Sequence, residues 1–207
     1  MSRDAILGRI RAATAKSKRP AHMETTPPAS LTVSPDRIQS RFQASATDKG
    51  VIVVDVAGKD NLPEAVARAL ASVPHESRRL RINDPELTCL AWEAAGIAVS
   101  NGAAGAQDEV ALSRAITGVA ETGTVVLASG QANPTTLALL PVTHLVALER
   151  TSIAGTFEEA LALLERIYGR NLPRAVNFIS GASRTGDIGG RIVQGAHGPH
   201  RLIVFLF

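Results

Sequence analysis

Three short polar segments in the second half of the chain carry residue types that could do chemistry, and the first contains a carboxylate. Glu121 stands in the run 120–124, beside Gly123 and directly before an apolar stretch. A glutamate on such a turn can serve as a general base or as a covalent nucleophile. Glycine lets neighbouring backbone N–H groups approach an anion or a developing oxyanion. We therefore expect Glu121 as the candidate catalytic residue and Thr122, Gly123 and Thr124 as ligand-binding residues. The alternative is a hairpin turn whose glutamate is solvated or bonds backbone amides.

The second segment, 179–188, combines several hydroxyl groups with a guanidinium and follows a predicted strand. Open parallel sheets bind ligands beyond the carboxyl ends of their strands, and the planar fork of Arg184 suits a carboxylate or a phosphate. Asp187 can orient Arg184 or cap a short helix that we predict around 187–193. The alternative is a structural loop whose hydroxyls cap that helix. The expected ligand-binding residues are Ser180, Gly181, Ser183, Arg184, Thr185 and Asp187.

The third segment, 195–199, contributes His197 and Gly198 as ligand-binding candidates. A histidine in this position can take part in acid–base chemistry or bind an anion. No metal site is expected, because a Gly-Pro pair separates His197 from His200 and no third ligand is in sight.

Several familiar site patterns are absent from the sequence. The spacings GxxxxGK[ST] and GxGxxG, which mark nucleotide-binding loops, do not occur. A catalytic triad of Ser183, His197 and Asp187 would lack the nucleophile elbow of the hydrolases that use one. His144 lies inside the apolar run 142–148, and we interpret it as a hydrogen-bonded core histidine.

The composition predicts one domain without a redox centre of its own. The chain has 207 residues and 45% hydrophobic content, enough for a substantial core and short for a chain that splits into domains. Cys89 is the only cysteine, whereas an iron–sulfur cluster normally takes four, and we interpret Cys89 as an inert core residue. No apolar run approaches the ~20 residues that span a bilayer, and no signal-peptide pattern opens the chain. A cytoplasmic protein is expected.

Positive charge is concentrated at the start of the chain. Residues 1–50 hold nine Lys or Arg against four Asp or Glu, whereas residues 51–207 hold thirteen against fifteen. Aromatic residues make up 3% of the chain, which leaves little to stack on bases, so no nucleic-acid partner is expected.

The basic start differs in organisation from the rest of the chain. Apolar residues at helical spacing predict an amphipathic helix over 2–18, and a Pro-rich linker follows. We expect a helical arm with its linker over 1–35 and a single α/β domain over 36–207.

Within that domain, predicted strands alternate with predicted helices. The run 51–55 is almost continuously apolar, as in a strand covered on both faces, and the runs at 124–128, 142–148 and 202–207 are similar. This alternation predicts an α/β fold with an open, mostly parallel sheet and helices on both faces.

Four segments taken together resemble the lactate utilization protein C family, which carries the LUD domain. They are residues 120–127, 139–144, 179–188 and 195–199, and their order and spacing fit over about residues 110–207. The start of the chain at 5–10 and the helix at 38–42 are similar less specifically.

The resemblance implies a fold like that of the ribose-5-phosphate isomerase and coenzyme A transferase group. It also implies a role in oxidising L-lactate to pyruvate beside two partner proteins that carry the redox chemistry, at least one of them with iron–sulfur clusters. The composition agrees, because this chain cannot hold such clusters itself, and no cofactor is expected on it. The family's motif positions fall on Glu121, Thr122, Gly123, Ser180, Gly181, Ser183, Arg184, Thr185, Asp187, His197, Gly198 and Pro199. The chain departs from the family pattern at Ala182, Gly186 and Gly189, where proline, alanine and glutamate are usual.

Three functions are consistent with these observations. The leading one is an accessory subunit of L-lactate oxidation that works with iron–sulfur proteins and binds a small carboxylate or phosphate in a pocket formed by the three segments. The second is a free-standing enzyme on acyl-coenzyme A or sugar-phosphate substrates, with Glu121 as base or nucleophile and Arg184 holding the anion. Coenzyme A transferases of similar fold use a glutamate followed shortly by glycine as the acyl acceptor. The third is a binding protein for a small carboxylate. The sequence leaves the ligand and the oligomeric state open.

Overall fold

The computed structural model comprises a helical N-terminal unit and a larger α/β unit. It describes residues 3–16, 34–72, 79–188, 191–195 and 197–207. By internal contacts the chain divides into Met1–Ser30 and Leu31–Phe207. In the first unit, α1 (Arg3–Lys16) confirms the predicted helix, and Ile6 and Ile10 are about half exposed. The predicted linker lies largely outside the described residues. None of the helices in the described ranges is both long and apolar enough to cross a membrane.

The second unit alternates helices and strands. Its helices are α2 (Ile38–Asp48), α3 (Leu62–Ala71), α4 (Pro85–Thr88), α5 (Thr136–Leu139) and α6 (Phe157–Tyr168). Its strands are β1 (Ile52–Asp55), β2 (Arg79–Ile82), β3 (Ala98–Asn101), β4 (Val110–Arg114), β5 (Thr117–Val119), β6 (Thr124–Ala128), β7 (Thr143–Leu148), β8 (Val176–Ile179), β9 (Arg184–Ile188), β10 (Arg191–Gln194) and β11 (Arg201–Leu206). Short 3-10 turns lie at Pro35–Arg37, Lys59–Asn61 and Arg150–Ser152.

A six-stranded parallel sheet forms the centre of this unit, with strand order β1-β11-β7-β4-β2-β3. Successive side chains of a strand point to opposite faces, and β7 shows the result. Leu145 packs in one core with Val66 of α3, whereas Val146 packs in another core with Phe42 of α2. The predicted open, mostly parallel sheet with helices on both faces is confirmed.

A second sheet, β5-β6-β8, is antiparallel and three-stranded. It lies between the parallel sheet and α6, because Val125 of β6 packs with Val146 while Val126 packs with Ala160 and Leu164 of α6. The apolar run of β6 therefore reflects burial on both faces, as expected. Its antiparallel pairing was not predicted, because burial on both faces produces the same residue pattern for either strand direction.

Two expectations about burial are wrong. β1 is not covered on both faces: it is an edge strand with β11 as its neighbour in the sheet, and Ile52 is 48% exposed. Cys89 is exposed rather than part of the core. The reason is that α4 ends at Thr88, so the chain turns and directs Leu87 and Trp92, not the thiol between them, into the core.

The segment after β8 also differs from the prediction. Instead of a helix around 187–193, β9 and β10 pair as an antiparallel ribbon, with Ile188 opposite Arg191 and Thr185 opposite Val193. The sequence Gly189-Gly190 lies between the two strands. Each interior glycine disfavours a helix by about 1 kcal/mol relative to alanine, whereas glycine pairs favour the short connections of hairpins.

Arg150 ties the carboxyl ends of β1 and β11 together. Its guanidinium donates hydrogen bonds to the backbone oxygens of Val56 and Leu206, each at 2.9 Å, and to Asp55 Oδ1 at 3.1 Å. Val56 and Leu206 are buried, and the Leu206 oxygen also accepts the N–H of Val56 at 2.7 Å.

We expect Arg150→Ala to lower the free energy of unfolding by about 1–3 kcal/mol, because it removes the guanidinium donor from the backbone oxygens of Val56 and Leu206. Urea denaturation followed by far-UV circular dichroism measures this loss. Arg170→Ala, which removes an exposed arginine, is the control. Equal stability of the two variants would contradict the assigned role of Arg150.

Candidate functional site

A small cavity of about 190 Å³ lies at the amino ends of the central parallel strands. His144 and Leu202 line it, each the second residue of its strand, and they lie opposite each other in the register of β7 and β11. Apolar walls are added by Leu139 and Ile179. Four predicted ligand-binding residues, Gly181, Ser183, His197 and Gly198, also line the cavity, as does Pro199. The cavity therefore brings residues of the second and third polar segments together.

The position of the cavity corrects one expectation. The segment 179–188 follows β8, but β8 belongs to the antiparallel sheet, so the rule for carboxyl ends of parallel strands does not apply to it. The cavity lies at the opposite edge of the parallel sheet, where β7 and β11 begin.

Backbone bonds hold Ser183 in place beside the turn that carries His197. The Ser183 N–H donates to the oxygen of Pro199 at 2.9 Å, and the Gly195 N–H donates to the oxygen of Ser183 at 2.7 Å. Gly198 lies so close that a Cβ there would be 3.1 Å from Ser183 Cβ. Ser183 is half-buried, whereas His197 is exposed and therefore lies at the mouth of the cavity.

His144 is a buried polar residue of the cavity. It is 0% exposed, and its Nε2 lies 3.1 Å from Ser113 Oγ on β4. Burial lowers the pKa of His144 from 6.5 to about 3, so the ring is neutral near pH 7. Within the described part of the chain, its Nδ1 has no hydrogen-bond partner. The predicted core histidine is confirmed, but its place in the cavity was missed, although residues 139–144 carried part of the family resemblance.

The hydroxyl groups of Thr122, Thr124 and Ser180 form a chain beside the cavity. Thr122 Oγ1 lies 2.7 Å from Thr124 Oγ1, which lies 2.5 Å from Ser180 Oγ. Their side chains join the β5–β6 turn to the end of β8, while the neighbours of Ser180, Ile179 and Gly181, reach the cavity.

Two positively charged side chains, Lys49 and Arg184, connect the β5–β6 turn and the start of β9 to the end of α2. Lys49 Nζ donates to the oxygen of Thr122, and the exposed Arg184 donates through Nη2 to the oxygen of Lys49 at 3.5 Å. Sequence reasoning missed Lys49, because it lies more than 70 residues before its partner in the chain and no local pattern marks it.

Gly123 has a packing role that only glycine can fill. Its φ is 63°, and a Cβ there would lie 2.2 Å from the backbone nitrogen of Ala46 in α2. The turn between β5 and β6 therefore sits directly on the backbone of α2.

Glu121 lies at the start of α6. Its Oε1 accepts a hydrogen bond from the N–H of Phe157 at 2.9 Å, and its own N–H donates to the oxygen of Gly155 at 3.1 Å. A carboxylate at a helix N-terminus satisfies an unpaired N–H group and complements the helix dipole. Glu121 is not among the residues that line the 190 Å³ cavity. This geometry matches the alternative of a glutamate that bonds backbone amides, and its role as base or nucleophile stays a prediction.

The last two predicted residues lie on β9. Thr185 pairs with Val193 across the ribbon. Asp187 belongs to the same strand, and its side chain is outside the described set. Within the described ranges, no three His, Cys, Asp or Glu residues are grouped so that they could hold a metal ion.

A larger cleft of about 520 Å³ lies at the carboxyl edge of the parallel sheet. It is lined by Arg114, Asp84 and residues 129–133, among others. Two of its charged side chains already have partners within the protein. Arg114 Nη1 lies 2.9 Å from Glu86 Oε2, and Asp84 Oδ1 accepts the N–H groups of Glu86 and Leu87 at the start of α4.

Comparison with known proteins assigns the family. The model of the LUD domain matches residues 103–207, about half of the chain, and this range includes all the cavity residues. The chain belongs to the LUD domain family. Three strands of the parallel sheet, β1, β2 and β3, lie before the matched range, and so does Lys49.

Curated relatives of this LUD domain protein carry the name Lactate utilization protein C. The chain is 36% identical to the one from Bacillus pumilus over 90 residues, 39% identical to that of Geobacillus sp. over 83 residues, and 35% identical to that of Halalkalibacterium halodurans over 85 residues. These segments cover 42%, 39% and 40% of this chain but only 38%, 34% and 37% of the relatives.

The fold has a counterpart in a crystal structure. A DUF162 family protein from Deinococcus radiodurans superposes with a TM-score of 0.63 at 21% sequence identity, over 84% of this chain and 98% of that one. This similarity extends the shared fold well beyond the range of the LUD family match.

We expect Gly123→Ala to lower the free energy of unfolding by more than about 2 kcal/mol, because the new methyl group meets the backbone of α2 and the positive φ is strained. Gly130→Ala is the matched control, since nothing lies within 4 Å of a Cβ at that position. Thermal denaturation of both variants measures the difference. A Gly123 variant as stable as the control would show that the turn can move away from α2.

The buried His144 also predicts a pH dependence of stability. Its pKa is lowered in the folded state, so the unfolded chain binds more protons between about pH 6.5 and pH 3, and stability falls as the pH falls through this window. The contribution of one such group is at most about 1.4 kcal/mol per pH unit. Denaturation at a series of pH values should show a shallower dependence in His144→Gln than in His197→Gln, which removes the exposed imidazole. Parallel pH profiles of the two variants would contradict this expectation.

Proposed function

We propose that this chain is a non-redox subunit of a lactate utilization system that binds a small anionic ligand and works with iron–sulfur partner proteins. The observation that carries the proposal is the cavity: Gly181, Ser183, His197 and Gly198 meet there, and all fall within the LUD domain. The relatives named Lactate utilization protein C support the pathway assignment.

The size of the cavity favours a small acid as the ligand. Sites for drug-sized molecules typically enclose about 300–1,000 Å³, whereas this one encloses about 190 Å³. A carboxylic acid of three or four carbon atoms suits such a space, while an acyl-coenzyme A does not. His197 at the mouth can bind a carboxylate, and the apolar lining residues Leu139, Ile179 and Leu202 suit a short hydrocarbon end.

The residues of this chain do not fit an iron–sulfur cluster of their own. Such clusters take about four cysteine ligands, and the chain has one cysteine, Cys89, which is exposed. Oxidation of L-lactate to pyruvate releases two electrons and two protons. In the proposed system the partner proteins accept the electrons, and this chain contributes a binding site.

The geometry of Glu121 favours the subunit over a free-standing enzyme. The carboxylate accepts the N–H of Phe157 at the start of α6 and lies outside the cavity lining. The exposed Arg184 points its Nη2 to the oxygen of Lys49. If Glu121 attacked a substrate while Arg184 bound the anionic group of the same substrate, both side chains would need to face one cavity.

We expect L-lactate-dependent dye reduction by the iron–sulfur partner proteins to require this chain. His197→Ala should lower the rate, because it removes the imidazole at the mouth of the cavity. Glu121→Gln should retain most of the rate, because the amide oxygen can still accept the N–H of Phe157. Stopped-assay spectrophotometry of the dye, with and without the chain, measures all of these rates.

Two outcomes would contradict the proposal. Equal dye reduction without the chain would exclude a subunit role. Loss of activity in Glu121→Gln, with unchanged thermal stability, would favour the enzyme that uses Glu121 as base or nucleophile.

A further inference from the structure

We propose that His144 is a specificity-determining residue at the buried end of the cavity, where it selects a monoanionic acid with a neutral polar group, such as a 2-hydroxy or 2-oxo acid. This inference rests on the proposed function and adds to it the ligand class and the residue that recognises it.

His144 has one ring nitrogen with a hydrogen-bond partner and one without a partner among the described residues. Buried polar atoms are nearly always hydrogen-bonded, and each exception calls for an explanation. Nε2 of His144 bonds Ser113, but Nδ1 has no partner among the described residues. His144 is among the residues that line the cavity. A ligand in the cavity would supply the missing partner of Nδ1.

The surroundings of His144 determine which kind of ligand group can bond its Nδ1. The ring is fully buried and neutral, and Leu139, Ile179 and Leu202 line the same cavity. A second charged group of a ligand would lose its hydration there without gaining a counter-charge, which is strongly unfavourable. A hydroxyl or keto group needs only a hydrogen bond. A dicarboxylate should therefore bind less well than a hydroxy or oxo monocarboxylate.

Ser113 allows His144 to recognise either oxidation state of such an acid. A serine hydroxyl both donates and accepts hydrogen bonds, and a neutral imidazole has one donor and one acceptor nitrogen. When Ser113 donates to Nε2, Nδ1 carries the proton and donates to a keto oxygen. When Ser113 accepts from Nε2, Nδ1 is the acceptor for a ligand hydroxyl. The pair thus fits a 2-oxo acid and its 2-hydroxy counterpart.

Nitrogen-15 NMR of the full chain, labelled in its histidines, tests this contact directly. The probes are L-lactate, pyruvate, propionate, which lacks the inner polar group, and malonate, which adds a second charge. We expect L-lactate and pyruvate to shift the His144 Nδ1 resonance and to bind at least about fivefold more tightly than propionate, the effect of one neutral hydrogen bond. Malonate should bind more weakly than L-lactate. An unshifted His144 resonance at saturating L-lactate would overturn the inference.

A double variant supplies the second test. His144→Leu combined with Ser113→Ala removes both partners of the buried hydrogen bond, so that neither is left unsatisfied. The ratio of L-lactate to propionate affinity, measured by calorimetry, should fall to about one. An unchanged ratio would refute the role of His144, and if the double variant does not fold, the resonance shifts of the unaltered chain decide.

Failure of this inference is distinguishable from failure of the proposed function. Dye reduction that needs the chain, together with an unshifted His144, would refute only the role of His144. Dye reduction that does not need the chain would refute the subunit role, whatever the histidine resonances show.

Discussion

The pairing of β11 with β7 is the constraint on which the rest of the molecule depends. The two strands run in unbroken parallel register over six residue pairs and are buried along almost their whole length. The N–H groups of His200 and Arg201 both donate to the oxygen of Val142, so the chain enters β11 at a fixed point. The turn at 197–199 is thereby placed beside the start of β7. A slip of one residue would move every side chain of β11 to the other face of the sheet, and Leu202 would leave the cavity.

Packing alone does not account for the histidine at this point of β7. A leucine would fill a similar volume without a polar group to satisfy, and burying a polar atom without a partner disfavours folding by about 1–3 kcal/mol. The hydrogen bond with Ser113 offsets only part of this unfavourable free energy, since it involves one of the two ring nitrogens. A buried polar residue that lowers stability and lines a cavity is better explained by a role in function than by packing in the hydrophobic core.

The sequence predicted those features that burial alone determines. The apolar runs of β6, β7 and β11 identified strands and an α/β fold, but they carried no information on pairing direction. Four of the residues that line the cavity, Gly181, Ser183, His197 and Gly198, were predicted, because they lie in the polar, glycine-containing segments 179–188 and 195–199. In the structure these two segments bond each other through Ser183 and Pro199. Lys49 and the contact from Glu121 to Phe157 were missed, because they join segments that are distant in the chain and only the tertiary fold brings them together.

The motif residues divide into two groups once their contacts are known. Glu121 fixes the start of α6, Gly123 admits the backbone of α2, and Thr124 holds the end of β8 through Ser180. These contacts hold α6, α2 and the end of β8 around the turn between β5 and β6. Gly181, one residue after Ser180, consequently lies at the cavity. A polar, glycine-rich motif is therefore no sign that each of its residues meets a ligand. Here residues 120–124 hold the surrounding elements together, whereas Gly181, Ser183, His197 and Gly198 line the cavity.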